Sequence, residues 1–404
     1  MRCWLPTYAV LFRRLGIGPK ASLLWAAAGI FCTPNWYYGT STFDDILGAA
    51  AVVLAVAIAL GCRERHPGAG AVAAGLALGL AFNCKQPLGI FILPVLAALY
   101  DPAAGWRSHW KRLATVRALL AAGVAVYEGY TWYKFPPGST VEHAGLQKDP
   151  IWSSDPVIAL VALLISPAAG VFFYNPPLLL CVRGVRSWHR SQRFFCLSLG
   201  AAIAVFVLFI CSLTFFKGDP AWGSRYLTPV FAVLWIMAPT GFLLMRRRVA
   251  VALLAVGLLV QVSALAIDPY RLYLKNGSLM PPELYFHPAM SHLINRPGEI
   301  AEVLSAGGNK SLYYERPYRT TFPLIIVLDS SGKVCSGGRD SYQIDSDRLI
   351  DSLRPWWASL RRVDARARPI DIPKSATLLL LLAVAGSMLM ITGVRGGRPL
   401  ASAG

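Results

Sequence analysis

Long apolar stretches constrain this chain more than any other feature of its sequence. Several of them approach the roughly 20 residues that a helix needs to cross a bilayer. A segment in lipid must satisfy its own backbone hydrogen bonds, as a helix does. Only 15% of the 404 residues are charged, against about 25% in soluble domains. The sequence therefore predicts an all-α polytopic membrane protein of about ten spans, at 21–34, 44–62, 69–84, 88–100, 116–134, 156–181, 194–216, 226–245, 249–267 and 375–393.

The net charge of +18 is distributed unevenly between the connecting segments. One set of short segments holds 18 Lys and Arg residues and the alternate set holds five. The first set is 13–20, 63–68, 101–117, 182–193, 246–248 and 394–404; the second is 35–43, 85–87, 134–155 and 217–225. Cytoplasmic loops of membrane proteins carry the excess of Lys and Arg. The asymmetry therefore predicts that the first set faces the cytoplasm. It also explains the net positive charge by membrane topology, so nucleic-acid binding is not needed to explain it.

A polar region interrupts the apolar pattern near the end of the chain. Residues 268–374 contain 15 Lys and Arg residues, a strand-and-turn pattern at 323–334 and a helical pattern at 345–363. We expect a small extracytoplasmic α/β appendage there. It would follow a transmembrane domain at 1–267 and precede a final helix and cytoplasmic tail at 375–404.

The predicted outer side of the spans holds most of the unusual polar residues. Asp44 and Asp45 stand together where a span begins, in the stretch NWYYGTSTFDDIL. Charges in membrane helices are costly, so those that persist tend to be functional or paired. The alternative is that the two acids simply cap the helix that follows, since Asp suits a helix N-terminus.

Two cations occupy comparable places on the same side. Lys85 lies in NCKQP, where Pro87 breaks the helix, and it suits either a phosphate ligand or snorkelling to the interface. Arg225 lies in KGDPAWGSRYLTPVF, where it cannot be a cytoplasmic anchor. Its guanidinium matches phosphate oxygens in a bidentate way; the alternative is an interfacial ion pair with Asp219 or Asp44.

Aromatic and amide side chains accompany these charges. Trp222 and Tyr226 flank Arg225 and are typical membrane-interface residues. Tyr174 and Asn175 lie within SPAAGVFFYNPPLLL, where prolines and a glycine predict a bent helix. The alternative is that Tyr174 and Asn175 pack in the bundle and form hydrogen bonds with the nearby backbone. No cysteine pattern has the spacing of a zinc site.

Four segments in order carry a resemblance to a known family. They are the aromatic-then-acidic stretch at 37–45, LAFNCKQPLGIFILP, SPAAGVFFYNPPLLL and WGSRYLTPVF. Together they resemble the bacterial polyprenyl-phosphate-dependent glycosyltransferases of the GT-C superfamily, relatives of protein O-mannosyltransferases and lipid A aminoarabinose transferases. The resemblance spans roughly residues 10–290.

The resemblance implies an enzyme of the bacterial cytoplasmic membrane. It would transfer a sugar from a polyprenyl-phosphate donor to a lipid, glycan or protein acceptor at the outer face. Lys85 and Arg225 would hold the donor phosphate, with Trp222, Tyr226, Tyr174 and Asn175 in the substrate site. Asp44 or Asp45 would be the catalytic carboxylate. No cofactor is expected, and although a divalent metal is compatible with the reaction, no ligand cluster indicates one.

The sequence departs from that family at its beginning. Members start with a transmembrane helix and a large outer loop that carries an acidic motif, whereas MRCWLPTYAVLFRRLG resembles the end of a later helix and is no signal peptide. A catalytically degenerate, truncated member is therefore one alternative function. A lipid-sugar transporter or flippase is the other, because such proteins also use intramembrane charges and broken helices.

Overall fold

Every regular element in the described part of the chain is helical. The computed structural model describes residues 4–39, 44–64, 66–101, 105–134, 155–213, 216–218, 221–266, 272 and 285–305. The helices are α1 (Trp4–Arg14), α2 (Pro19–Phe31), α3 (Asn35–Gly39), α4 (Asp44–Cys62), α5 (Pro67–Cys84), α6 (Ile92–Ala98), α7 (Trp106–Lys134), α8 (Pro156–Ile165), α9 (Val171–Tyr174), α10 (Leu178–Ser191), α11 (Arg193–Cys211), α12 (Thr228–Leu234), α13 (Ala238–Leu244), α14 (Arg247–Ala266) and α15 (His292–Ser305). Short 3₁₀ segments cover Gln86–Phe91, Arg225–Leu227, Trp235–Met237 and Pro288–Met290.

Five stretches of helix in the described residues are long and apolar enough to cross a membrane. They are Asp45–Cys62, Pro67–Cys84, Arg193–Cys211, Arg225–Leu244 and Arg247–Ala266. Each coincides with a span predicted from the sequence, so the prediction of an all-helical membrane protein is confirmed at that level. The count of about ten spans stays a prediction. The span at 375–393, the strand pattern at 323–334 and the helix at 345–363 lie outside the described residues.

Helix breaks occur where proline and glycine predict them. Helix α5 ends at Cys84, and Lys85 is extended with φ −159° and ψ 115°. Pro87 then lies in the first turn of the following 3₁₀ segment, because a proline is tolerated at the start of a helix and not in its interior. Helix α5 and the 3₁₀ segment therefore meet at Lys85.

The span predicted at 156–181 is wrong as a single helix. Helix α8 ends at Ile165, Ser166 is extended, and Gly170 and Asn175 bracket the single turn of α9. The chain resumes in α10, which continues to Ser191 through a segment predicted as a connecting loop. A run of apolar residues does not show whether its prolines bend one helix or end several.

The two ends of the helix bundle differ in the residues that they carry. At one end, which we call the basic end, Arg14 lies against the Gly61 carbonyl and Arg63 donates to Gln192. Helix α4 runs from there to Asp45, so its other terminus marks what we call the site end. Helix α5 reaches that end at Cys84, and the Arg225–Leu244 segment begins there. The separation parallels the charge asymmetry seen in the sequence.

Glycines allow α10 and α13 to cross with their backbones in contact. A Cβ on Gly241 would collide with the carbonyl oxygen of Leu180, and one on Gly184 would collide with the carbonyl oxygen of Met237. Small residues at such crossings are typical of membrane helix pairs, which associate through close van der Waals packing. This crossing fixes the C-terminal part of the Arg225–Leu244 segment. Arg225 lies at the N-terminal end of the same segment.

Substituting Gly241→Ala should therefore destabilise the protein by about 1–3 kcal/mol, because the added methyl group forces two backbones apart. Thermal unfolding of the detergent-solubilised protein measures the effect. Gly200→Ala is the matched control, since a Cβ at Gly200 on α11 meets no atom within 4 Å. Equal melting temperatures for the two variants would contradict the proposed crossing.

Candidate functional site

Three charged side chains from distant parts of the chain meet at the site end. The carboxylate of Asp45, in the first turn of α4, accepts a hydrogen bond from Lys85 through Oδ1. Its other oxygen, Oδ2, lies 3.1 Å from Nε of Arg225. The Asp45 side chain is 1% exposed and that of Arg225 is 8% exposed. We call these three residues, with Tyr226, the charged cluster.

The aromatic ring of Tyr226 completes the charged cluster. The ammonium group of Lys85 lies 3.7 Å from the centroid of this ring, and the guanidinium carbon of Arg225 lies 5.0 Å from it. A cation within about 6 Å of a ring centroid is attracted to the ring face. The ring and the Asp45 carboxylate therefore contact the same two cations.

Local backbone structure directs each cation into the cluster. Lys85 is the extended residue between α5 and the next 3₁₀ segment, so its side chain does not follow the helical spacing of either element. The backbone N–H of Arg225 donates to the Lys217 carbonyl at 3.0 Å. The Arg225 carbonyl accepts from the Thr228 hydroxyl at 2.6 Å. These contacts fix the first turn of the helical segment from which the guanidinium projects.

The turn before Arg225 depends on a glycine. Gly223 has φ +66°, a left-handed conformation that residues with a Cβ rarely adopt. A Cβ at this position would also come within 2.6 Å of the Tyr174 ring. Ser224 donates to the Ala169 carbonyl from the next position. The WGSR sequence thus connects the charged cluster to the broken region between α8 and α10.

A second group of side chains gathers around Trp222, which lies in the same turn. The ring of Tyr174 packs edge-on against Trp222 at 5.3 Å between centroids, and the ring of His292 lies at 5.7 Å. The guanidinium carbon of Arg296 lies 5.0 Å from the Trp222 ring centroid. Arg296 also pairs with Glu299 at 3.2 Å, with both side chains at most 4% exposed. We call these five residues the aromatic cluster.

The aromatic cluster joins residues 285–305 to the membrane bundle. The Trp222 carbonyl accepts from the Tyr38 hydroxyl at 2.6 Å. Nearby, Ser291 donates to the Pro167 carbonyl at 2.6 Å, and the Ala168 N–H donates to the Tyr285 carbonyl at 3.3 Å. Helix α15 therefore packs at the site end, against the turn that presents Arg225.

Lys217 adds another buried cation between the two clusters. Its side chain is 1% exposed, and its ammonium group lies 5.7 Å from the centroid of the Tyr285 ring. Burial lowers the pKa of Lys217 to about 7, since desolvation disfavours the charged form of a lysine. The site end thus combines permanently charged arginines with a lysine whose charge depends on conditions near neutral pH.

The structure brings together most of the residues singled out from the sequence. Lys85, Arg225 and Tyr226 share the charged cluster with Asp45, while Trp222 and Tyr174 lie in the aromatic cluster. The ion pair of Arg225 within the described residues is with Asp45, whereas the sequence suggested Asp44 or Asp219 as its structural partner. The side chain of Asp44, and Asp219 altogether, lie outside the described residues. Asn175 is buried at the end of α9, and no described contact joins it to either cluster.

Sequence reasoning missed several residues of the site end. Tyr38 lies in the stretch NWYYGTSTFDDIL but gave no distinct signal. Lys217 was visible as a cation between two apolar runs. Arg296 and Glu299 are spaced i, i+3 on a helix, which would have predicted a pair but not its burial. His292 begins the same helix, and its ring is buried against Trp222.

Comparisons with known proteins found no similarity, whether to a protein-family model, to a characterised protein or to a solved structure. The resemblance to GT-C glycosyltransferases therefore rests on the four sequence segments and remains a prediction. Within the described residues, no group of three or more His, Cys, Asp or Glu side chains could hold a metal ion.

Removing the charge of Asp45 should destabilise the protein strongly. In Asp45→Asn the two cations would face a neutral amide in a buried place, and breaking a buried ion pair costs about 3–5 kcal/mol. Denaturant unfolding in detergent measures the loss. Glu64→Gln is the control, because Glu64 also pairs with an arginine but its side chain is 76% exposed, where a pair contributes about 1 kcal/mol or less. Similar unfolding midpoints would show that the Asp45 cluster contributes little to folding.

Proposed function

We propose that this protein is a membrane glycosyltransferase that moves a sugar from a polyprenyl-phosphate donor to an acceptor at the outer face of the bacterial cytoplasmic membrane. The single observation that carries the proposal is the meeting of Lys85 and Arg225 at the site end. Two of the four resembling segments contribute these cations, and the fold brings both to one carboxylate. Phosphate recognition by a guanidinium beside an ammonium follows from their hydrogen-bonding chemistry.

The proposed reaction needs charge stabilisation on one side and a proton acceptor on the other. The acceptor hydroxyl oxygen forms a bond to the anomeric carbon of the sugar, and the bond from that carbon to the phosphate oxygen breaks. The electron pair of the broken bond leaves with the polyprenyl phosphate. Lys85 and Arg225 stabilise the negative charge that grows on this phosphate. The hydroxyl proton passes to a carboxylate.

Asp45 has two roles in this scheme. Before the donor binds, its carboxylate holds both cations and sets the separation between them. A donor phosphate that attracts the same two cations competes with the carboxylate for them. Asp45 then gains the capacity to accept the acceptor proton. Asp44, the adjacent residue in α4, is the second candidate for that step.

The position of the charged cluster favours a transferase over a transporter. Substrate sites of secondary transporters lie near the bilayer midplane, between repeated halves of the protein. The charged cluster instead lies at helix ends: Asp45 in the first turn of α4, Lys85 just after α5 and Arg225 at the start of its segment. A site at this depth suits a donor whose phosphate lies at the membrane surface while its polyprenyl chain stays in lipid.

The substitution Arg225→Lys separates phosphate recognition from simple charge pairing. We expect a loss of about 100-fold in sugar transfer, the size found when one donor to a developing oxyanion is removed. Lysine keeps the charge that pairs with Asp45 but lacks the forked donors of arginine. The assay is transfer from a polyprenyl-phosphate sugar by the purified, folded protein.

Arg248→Lys serves as the control for that experiment, because Arg248 is exposed near the basic end. Transfer by Arg225→Lys at the rate of this control, with both variants equally folded, would reject the phosphate-fork role. A loss confined to Arg225→Lys, with an unchanged melting temperature, would support it.

Orientation in the membrane can be tested with single cysteines in a background without the eight native ones. We expect Ile294→Cys, an exposed position on α15, to react with a membrane-impermeant maleimide in intact cells. Arg190→Cys at the basic end should react only after permeabilisation, because Lys and Arg are retained on the cytoplasmic side. The reverse labelling pattern would place the charged cluster on the cytoplasmic side and exclude transfer at the outer face.

A further inference from the structure

Two adjoining spaces lie at the basic end, far from the charged cluster. The first is an apolar groove of about 270 Å³ between α1 and α4, lined by residues that include Val10, Leu11, Leu54 and Ile58. The second is a cavity of about 670 Å³ between the C-terminal ends of α1, α4 and α10 and the start of α13. Arg14 and Gly61 line both spaces, so the groove and the cavity meet at these two residues.

The cavity is positively charged, whereas the groove is apolar. Among the described residues, Arg13, Arg14 and Arg63 line the cavity together with one acid, Glu64. Glu64 pairs with Arg63, and its side chain is 76% exposed. The remaining polar lining, which includes Gln192, consists of neutral groups that donate or accept hydrogen bonds. An occupant of both spaces needs an anionic, hydrogen-bonding head and an apolar tail.

We propose that the groove and the cavity together bind one anionic phospholipid of the surrounding bilayer. Its headgroup phosphate lies in the cavity against Arg13, Arg14 and Arg63, and one acyl chain follows the groove between α1 and α4. Basic pockets between transmembrane helices on the cytoplasmic side are suited to anionic headgroups. This site is independent of the proposed transferase activity, because it shares no residue with either cluster at the site end.

The junction between the two spaces explains the choice of a lipid over a small anion. The Arg14 guanidinium donates to the Gly61 carbonyl at 3.4 Å, and the stem of Arg14 lies over Gly61, where a Cβ would meet it at 3.4 Å. A larger side chain at Gly61 would press against this stem at the point where the groove and the cavity meet. A free phosphate would use the arginines and leave the apolar groove without a role.

Binding to the purified, delipidated full-length protein in detergent tests the proposal. Native mass spectrometry would compare phosphatidylglycerol, phosphatidylcholine and undecaprenyl phosphate, with inorganic phosphate as a competitor. We expect phosphatidylglycerol to bind at least about tenfold more tightly than phosphatidylcholine, since each arginine near an anionic headgroup contributes about a fivefold preference. The double variant Arg14→Gln, Arg63→Gln should remove that preference.

Two further variants keep the result interpretable. Gly61→Leu leaves every charge in place but blocks the junction, so it should weaken phosphatidylglycerol binding by a similar factor. Arg248→Gln removes one positive charge from the same end of the protein without touching the cavity lining, so binding should be unchanged.

Five outcomes would overturn the proposal. The first four are equal binding of the two phospholipids, equal loss in Arg248→Gln, unaltered binding in Gly61→Leu, and full competition by inorganic phosphate at millimolar concentration. Clear selection of undecaprenyl phosphate over phosphatidylglycerol would also overturn it, because the occupant would then be a single-chain carrier and not a bilayer phospholipid.

Discussion

One buried carboxylate organises the site end of this protein. Asp45 touches Lys85 and Arg225, which are separated by 140 residues in the chain, and thereby ties the start of α4 to the end of α5 and to the start of the Arg225–Leu244 segment. A carboxylate that is 1% exposed is stable only with such partners. The three helix termini therefore have to meet, and the positions of Trp222 and Tyr226 follow from that meeting.

Apolar runs and prolines predicted much of this architecture from the sequence. The five membrane-crossing stretches and the break at Lys85 follow from hydropathy and from the geometry of proline, both of which are local properties. The residues of the charged cluster could be chosen one by one, because charges at the edges of apolar runs are conspicuous. Their pairing could not be chosen, because adjacent aspartates look alike in the sequence and the rotation of a helix decides which of them meets a distant cation.

Burial at helix ends was equally hidden from sequence reasoning. Residues 292–305 read as part of a polar appendage, yet Arg296 lies buried over the Trp222 ring and pairs there with the buried Glu299. The pair compensates its own charge, so α15 can cover an aromatic ring while keeping a polar composition. The breaks between α8 and α10 were also not predicted, because they depend on distant residues. Backbone groups of this region form hydrogen bonds with Ser224 and Tyr285, which lie far away in the chain.

The contact between α15 and Trp222 bears on how the protein can be divided into parts. A boundary placed at residue 267 by composition would separate His292 and Arg296 from the ring that they cover. A fragment that ended there would leave Trp222 and Tyr174 uncovered at the site end. The excised polar part would carry the Arg296–Glu299 ion pair without the Trp222 ring against which Arg296 lies. Expression of either part alone is therefore better planned with a cut beyond residue 305, which keeps the helix with the bundle on which it rests.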